Sequence, residues 1–229
     1  FSIRLCEQLE AELRNENFKL VLGGDCTILL GIMPALKAKG EYGLLYLDAH
    51  ADFYQPDKST TGEVADMGLA MVTGRGPEVL TNINNLKPYV RDENVIHIGQ
   101  RDAEEAKSYG SQDIKTTSIK CFDLNKIRID GLESISDEII ALTANVPVEG
   151  FWLHFDTDVI SDDENPAVDY RLPGGLTFEE TSKLLTRLLL TDKIVGMSVT
   201  IFNPQLDHDG EIAEKITACL SNSIIAARL

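Results

Sequence analysis

The sequence predicts one α/β domain with three layers, in which a mainly parallel sheet lies between two layers of helices. Short apolar runs of strand length alternate along the chain with longer segments of helical periodicity, which is the pattern of repeated βαβ units. The 229 residues, 43% of them hydrophobic, also provide enough apolar material for one core. We therefore expect a single domain over residues 1–229, whose start at Phe1 instead of Met is compatible with a trimmed N-terminus.

Five apolar runs are predicted to be the strands. Most of them lack polar alternation, as is typical of strands that are buried on both faces of a sheet. Because helical segments separate the runs, right-handed crossover connections are expected. The runs span residues 19–24, 42–50, 94–100, 150–156 and 193–202.

Six segments are predicted to be helices, and two long segments without periodicity follow strand ends. The irregular segments are residues 53–76 and 157–176. Ligands of open parallel sheets bind at the carboxyl ends of the strands, so these two loops are expected to build the site. The predicted helices are residues 3–16, 27–39, 102–110, 132–144, 177–191 and 209–227.

The charge balance argues against two classes of partner. The formal net charge is −16, from 37 acidic and 21 basic residues, whereas nucleic acids and anionic membranes attract basic clusters. We expect no nucleic-acid or membrane partner, and no apolar run is long enough to cross a bilayer. A solvated acidic surface accounts for most of the excess charge.

The cysteine pattern favours a reducing compartment, so a cytoplasmic location is expected. There is no CxxC spacing and no density typical of a disulfide scaffold. The four cysteines are Cys6, Cys26, Cys121 and Cys219.

Acidic side chains terminate two of the predicted strands. Asp48, His50 and Asp52 directly follow the apolar run LLYL, and their spacing of two directs them to one side of an extended chain. Asp156 and Asp158 end the run FWLHF in the same way. Carboxylates crowded at one sheet edge would repel each other, whereas one or two divalent ions would neutralise them.

The alternative interpretation is that each acidic group separately caps a helix or forms a surface ion pair. That interpretation suits a single aspartate at a strand end. Two buried strands that end in the same polar pattern favour a metal site.

Four motifs in this order resemble the arginase/agmatinase/formimidoylglutamase family. They are GGDCT (23–27), DAHAD (48–52), HFDTD (154–158) and LPGGLTFEE (172–180). The signatures of the family are GGDH[ST], DAH.D, a later [ST].D.D and a GGL region, so the resemblance covers roughly residues 19–204. It implies the arginase-like fold and, since family members are commonly trimers or hexamers, a homo-oligomer.

The resemblance also implies a binuclear metal site and a catalytic role for it. Asp48 and Asp156 would bridge two ions, Asp52 would complete one site, and His50 with Asp158 would complete the other. Members of the family mostly use manganese, and a bridging water or hydroxide is the nucleophile. Two cations lower the pKa of such a water and stabilise a tetrahedral intermediate, so hydrolysis of a non-peptide C–N bond is expected.

Two site residues need separate interpretation. Cys26 stands where the family has the histidine of GGDH, and a thiolate favours zinc, iron or nickel over manganese. Three roles for Cys26 stay open: a metal ligand, a packed residue beside a weakened first site, or a nucleophile with His50 as its base. His154, two residues before Asp156 on the same strand face, is expected to orient a metal-bound carboxylate and so to join Asp48 and Asp156 as a catalytic residue.

The substrate is predicted only by class. Ile201, in SVTIFNP (198–204), stands where arginases carry the glutamate that pairs with the guanidinium group. Glu63 and Asp66 are the acidic groups of the loop after DAHAD. We expect a hydrolase of a linear guanidino or amidino compound, without a prediction of L-arginine. A degenerate family member that holds metal as a binding or regulatory protein is the alternative.

Overall fold

Six parallel strands form one sheet in the computed structural model, which describes residues 1–15 and 17–228. Within these residues the strand order is β1-β6-β5-β2-β3-β4, and every neighbouring pair is parallel. The expected α/β fold with a mainly parallel sheet is therefore confirmed. The strands are β1 (Lys19–Leu22), β2 (Tyr42–Leu47), β3 (Val95–Ile98), β4 (Lys120–Phe122), β5 (Gly150–Asp156) and β6 (Ile194–Thr200).

Helices cover both faces of the sheet, and a separate apolar core lies on each face. One core joins α1, α2 and α3 to the face that contains Leu44 and Trp152. The other joins α6 to α9 to the face that contains Leu45 and Leu153. Alternation of side chains along each strand separates the two cores. The helices are α1 (Ser2–Glu12), α2 (Leu29–Lys37), α3 (Gly68–Val72), α4 (Glu78–Thr81), α5 (Ala103–Ser108), α6 (Leu124–Asp130), α7 (Leu132–Asn145), α8 (Phe178–Leu189) and α9 (Glu211–Arg228).

The structure adds elements that the sequence pattern did not predict. The edge strand β4 has three residues, too few to show a period of two. The segment 53–76, expected to be irregular throughout, contains the short buried helix α3. The first predicted helix ends earlier than expected, because α1 ends at Glu12, and residue 16 lies outside the described residues.

Two glycines make room for the aromatic side chains of the central strand β5. A Cβ atom on Gly43 would lie 2.2 Å from the ring of Phe151, and one on Gly196 would lie 2.2 Å from the ring of Trp152. Both distances are far below contact distance, so only glycine fits beside these rings. The close approach fixes β5 between β2 and β6, and the site lies at the carboxyl ends of these strands.

None of the helices in the described residues has both the length and the apolar character that a bilayer crossing requires. The four cysteines are all free thiols. A capping box begins α8, since Thr177 and Glu180 each bond the backbone N–H of the other.

Candidate metal centre

The acidic site lies where β2 and β5 end side by side. Leu47 pairs with Phe155 in the sheet, so the residues that follow them, Asp48 and Asp156, lie next to each other. Each of these aspartates is only 1% exposed. The parallel register thus places two carboxylates together in a buried position, as the sequence pattern predicted.

Two groups of possible metal donors meet at Asp48. Among residues 1–15 and 17–228, the donor atoms within each group lie within 4.8 Å of one another. We call them the first group and the second group, and Asp48 belongs to both. The first group is Cys26, Asp48, His154 and Asp156, and the second group is Asp48, His50 and Asp158.

In the first group, the sulfur of Cys26 contacts three other donors. Its Sγ atom lies 3.0 Å from Asp156 Oδ2 and 4.0 Å from Asp48 Oδ2. His154 Nε2 lies 3.3 Å from the same sulfur. A short turn after β1 positions Cys26, and the Asp25 side chain caps that turn by accepting from Thr27 N–H.

In the second group, His50 is held between two carboxylates. His50 Nδ1 lies 2.7 Å from Asp158 Oδ2 and 3.7 Å from Asp48 Oδ1. Asp158 also accepts from Ala49 N–H at 3.0 Å, and the Arg101 guanidinium donates to the Asp158 carbonyl at 2.7 Å. Backbone groups and a partly buried arginine therefore fix this part of the site.

Asp52 lies at the same strand end but is in neither of the two groups. Its Oδ2 atom accepts a hydrogen bond of 2.5 Å from the Tyr46 hydroxyl. The backbone of Asp52 has a φ of 47°, in the left-handed region, which places the side chain beside Tyr46. Burial raises the pKa of Asp52 to about 7, although the Tyr46 hydrogen bond acts in the opposite direction.

The protonation preferences of the carboxylates differ across the site. Burial, together with the neighbouring carboxylates, raises the pKa values of Asp48 and Asp156 well above the ordinary value. Burial also acts to raise the pKa of Asp158, but His50, Ala49 N–H and Arg101 lower it overall. Burial opposes charge on His50, yet Asp158 and Asp48 raise its pKa well above 6.5.

These residues fit divalent cations. Oxygen, nitrogen and sulfur donors converge at one place, and the carboxylates there are nearly inaccessible to water. Buried carboxylates without a cation have to bind protons instead, as the raised pKa values of Asp48 and Asp156 indicate. The site therefore has the donor set and the unbalanced charge that divalent ions need.

A polar row crosses the sheet at the level of His154, which belongs both to the row and to the first group. Its members pair in register across β3, β2, β5 and β6, and they are His97, Tyr46, His154 and Ser198. His97 Nε2 is 2.8 Å from the His50 carbonyl, so this nitrogen donates to it. Tyr46 donates to Asp52, and its ring centroid lies 4.7 Å from that of His154. The polar row thus supports residues from both groups.

The environment of His154 differs from the expectation. We expected it to orient a carboxylate, but no hydrogen bond joins His154 to a carboxylate in the described part of the chain. Its Nδ1 lies 2.8 Å from Ser198 Oγ, and its Nε2 lies near Cys26 Sγ and 3.4 Å from Thr200 Oγ1. Burial lowers the pKa of His154 to about 3, so the imidazole is neutral.

The geometry does not favour Cys26 as a nucleophile with His50 as its base. His50 is bonded to Asp158, and the imidazole at Cys26 belongs to His154. Burial, followed by the charge of Asp156, raises the pKa of the Cys26 thiol well above 9, so a thiolate would need a cation beside it. A metal-ligand role is consistent with this environment.

Sequence reasoning missed three polar residues of the site, and one of them had a usable signal. Tyr46 precedes Asp48 by two residues, the same spacing that drew attention to His154. Ser198 and Thr200 lie on β6, whose register with β5 the sequence does not reveal. Arg101 and Asp102 both bond backbone groups near the site. Arg101 donates to carbonyl groups, and Asp102 accepts from Ala51 N–H.

Sequence comparison relates the chain to arginases. The model of the arginase family matches residues 2–228. The chain is 32% identical over 213 residues to an arginase of Staphylococcus aureus (strain MRSA252), covering 93% of this chain and 69% of that protein. It is 26% identical over 227 residues to an arginase of Bacillus subtilis (strain 168), covering 99% of this chain and 75% of that protein.

Solved structures agree with this relationship. The arginase of Bacillus cereus superimposes with a TM-score of 0.89 at 27% identity, covering 100% of this chain and 77% of that one. The formimidoylglutamase of Bacillus subtilis shares the fold, with a TM-score of 0.79 at 19% identity, covering 100% of this chain and 67% of that one. The chain therefore belongs to the arginase family of hydrolases.

Proposed function

We propose that this protein hydrolyses a non-peptide C–N bond in a linear guanidino or amidino compound with the help of two divalent metal ions. One observation supports the proposal most strongly: two donor groups share the buried carboxylate of Asp48 at the end of β2. Shared carboxylates are the usual means of holding two cations close together.

We assign residues to each ion from the donor groups and, for the sharing of Asp156, from the family resemblance. Asp48 and Asp156 would be shared between the ions, and His50 with Asp158 would complete the second site. Cys26 would ligate the first ion, with Asp52 beside it. When bound, two such ions lower the pKa of a water between them and stabilise charge that develops on a trigonal carbon.

The protein side of the site is organised before substrate arrives. Asp158 is held by Ala49 N–H and by His50, and Arg101 fixes the backbone that follows β5. Fixed charges and dipoles of this kind need no rearrangement during reaction. The His50 side chain is 24% exposed, whereas the Asp48 side chain is 1% exposed. We infer that substrate approaches from the side of His50.

The two ions need not be the same element. The second group offers only nitrogen and oxygen donors, which suit manganese, the metal most common in the family. The first group includes the Cys26 sulfur, which favours Zn²⁺, Fe²⁺ or Ni²⁺. We propose Mn²⁺ for the second site and a softer ion for the first.

The surroundings of the site favour a substrate other than L-arginine. Ile201 has no charged group at the position where arginases carry the glutamate that pairs with the guanidinium group. Its backbone N–H donates to the Gly24 carbonyl. Glu63 is exposed and accepts from the Tyr170 hydroxyl at 3.1 Å, which joins the loop after β2 to the loop after β5. Asp66 accepts from two hydroxyl groups of its own loop. Glu63 is the better candidate for pairing with a cationic substrate.

The test is a release assay on a panel of substrates. The metal-loaded protein is incubated with guanidino and amidino compounds of different length and charge, and urea and ammonia are measured. We expect turnover of at least one compound, which chelation abolishes and metal restores. Two bound ions per chain without turnover of any compound would contradict the proposal. That result would support a metal-holding binding or regulatory protein.

Two broader proposals follow from the sequence and the family. The free cysteines fit a reducing compartment, so we propose the cytoplasm. By family resemblance we propose a homo-oligomer, which sedimentation analysis would test.

A further inference from the structure

Two residues that differ from the family signatures, Cys26 and His154, lie in contact in the fold. Cys26 stands where GGDH[ST] has histidine, and His154 stands where [ST].D.D has serine or threonine. The two residues are 128 positions apart in sequence, yet His154 Nε2 lies 3.3 Å from Cys26 Sγ. Both side chains are buried, with exposed fractions of 2% for Cys26 and 0% for His154.

We propose that His154 supplies the imidazole ligand of the first metal site, in place of the histidine that the GGDH motif would provide. The first site would then be formed by the Cys26 thiolate, the His154 imidazole and the carboxylates of Asp48 and Asp156. This inference rests on the proposed function, because it requires that the site binds metal.

The distances support a site of this composition. Tetrahedral ions bound by sulfur, nitrogen and oxygen donors keep those donors about 3.3–3.7 Å apart, as follows from bond lengths of roughly 2.0–2.3 Å. The distances from Cys26 Sγ to Asp156, His154 and Asp48 are 3.0, 3.3 and 4.0 Å, which bracket that range. Adjustments of a few tenths of an ångström would bring these three distances into the range.

The neighbours of His154 orient its ring for this role. Trp152 Nε1–H donates to Ser198 Oγ at 3.0 Å, and Ser198 Oγ lies 2.8 Å from His154 Nδ1. The tryptophan uses one lone pair of the hydroxyl oxygen, and the other can accept Nδ1–H. The lone pair of Nε2 then points toward Cys26. Histidines that ligate metals are usually fixed in this way through their other nitrogen.

The two departures also compensate each other. An imidazole at position 26 together with His154 would overfill a completely buried space, and serine at position 154 with Cys26 would leave no imidazole. The observed combination keeps one imidazole and adds one thiolate. The exchange moves the imidazole from the turn after β1 to the rigid central strand β5.

Nuclear magnetic resonance on the intact protein tests the inference directly. The chain is labelled with ¹⁵N-histidine and loaded with ¹¹³Cd²⁺, and scalar coupling between the two nuclei reports a direct bond. We expect coupling to two of the four histidines, His50 and His154. Coupling to His50 alone would overturn the inference but not the proposed function. Coupling to no histidine, with no cadmium bound, would overturn both.

Two matched variants provide a second test, in which the affinity of the first site for Zn²⁺ is measured. His154→Ser introduces the residue type of the family signature, and we expect its first-site affinity for Zn²⁺ to fall more than about 100-fold, beyond the effect of losing a supporting group. His97→Ser removes a buried imidazole from the same polar row, outside both donor groups, and should keep the first-site affinity within about tenfold. Equal losses in the two variants would overturn the inference.

Discussion

The first and second donor groups share Asp48 but are built differently. The second group keeps the family pattern, with His50 and Asp158 in direct contact and backbone groups holding Asp158. The first group departs from the family at Cys26 and at His154. It is also buried more deeply, since the second group opens to solvent at His50. The pattern is thus kept where the site opens to solvent and altered where the donors are enclosed.

This contrast teaches that a binuclear site can change one half without disturbing the other. The register of β2 with β5 positions Asp48 and Asp156, whereas a separate turn after β1 supplies Cys26. A sulfur donor in the first half would alter the choice of metal there. The second half would keep its own preference because its donors, Asp48, His50 and Asp158, are oxygen and nitrogen atoms.

The largest expected effect comes from removing the shared carboxylate. Asp48→Asn should reduce the bound metal from two ions per chain to nearly none, and turnover should fall by roughly 10³-fold or more, since metal assistance is worth several kcal/mol. Burial raises the pKa of Asp48, so the metal-free folded chain keeps this group protonated at neutral pH, whereas the unfolded chain ionises it, and this difference lowers the stability of the fold. The metal-free variant should therefore melt at a higher temperature than the wild type.

Elemental analysis and thermal melting check this prediction. Asn cannot ionise, so the variant should gain melting temperature only near neutral pH. The gain should disappear at low pH, where Asp48 is protonated in the unfolded chain as well as in the folded chain. Retention of both ions by the variant would show that the two ions do not share Asp48 as a ligand.

The second largest effect is a change in metal preference, expected when Cys26 and His154 are both replaced by the residue types of the family signatures. The double variant Cys26→His, His154→Ser should prefer Mn²⁺ over Zn²⁺ by about 100-fold more than the wild type does, because it loses a sulfur donor. Cys26→His alone should bind both metals weakly at the first site, since two imidazoles crowd one buried space. Competitive titration measures both. An unchanged preference in the double variant would mean that Cys26 does not ligate the ion.

A smaller effect is expected of pH on the affinity of the site for metal. The raised pKa values of Asp48, Asp156 and Cys26 mean that these groups hold protons in the metal-free chain, and metal has to displace them. Affinity should therefore rise with pH, about tenfold per pH unit for each proton released at saturation. Calorimetry in buffers of different ionisation enthalpy counts the protons. Affinity that is independent of pH between 5 and 8 would refute this view of the site.

The smallest effect concerns the substrate. Ile201→Glu should strengthen binding of guanidinium compounds by about fivefold, the value of an added ion pair of roughly 1 kcal/mol. Ile201→Gln is the matched control and should have no such effect. Ile201 also has a φ of 72°, which is unfavourable for a β-branched residue. Inhibition constants of a guanidinium series measure the difference, and equal constants for both variants would contradict the prediction.

The sequence predicted the location of the site better than its internal contacts. Asp48 and Asp156 follow apolar runs directly, and parallel strands necessarily bring their carboxyl ends to one edge. The contact between Cys26 and His154 depends on how the turn after β1 folds over β5, which no local pattern encodes. Tyr46 could have been identified, because it shares the spacing of His154.

The fold shows the same division between local and long-range information. The strands β2 and β5 were evident because they are apolar along their length. The edge strand β4 was not evident, since three residues show no pattern and its pairing with β3 depends on the assembled sheet. The places of Gly43 and Gly196 beside the β5 rings likewise follow from register and not from local sequence.

The most direct test of the central claim is anomalous diffraction from crystals grown with both manganese and zinc. Data on both sides of each absorption edge identify and count the ions. We predict two ions per chain, one on each side of Asp48, with zinc beside Cys26 and manganese beside His50. A single ion, or two ions that do not share Asp48, would contradict this prediction.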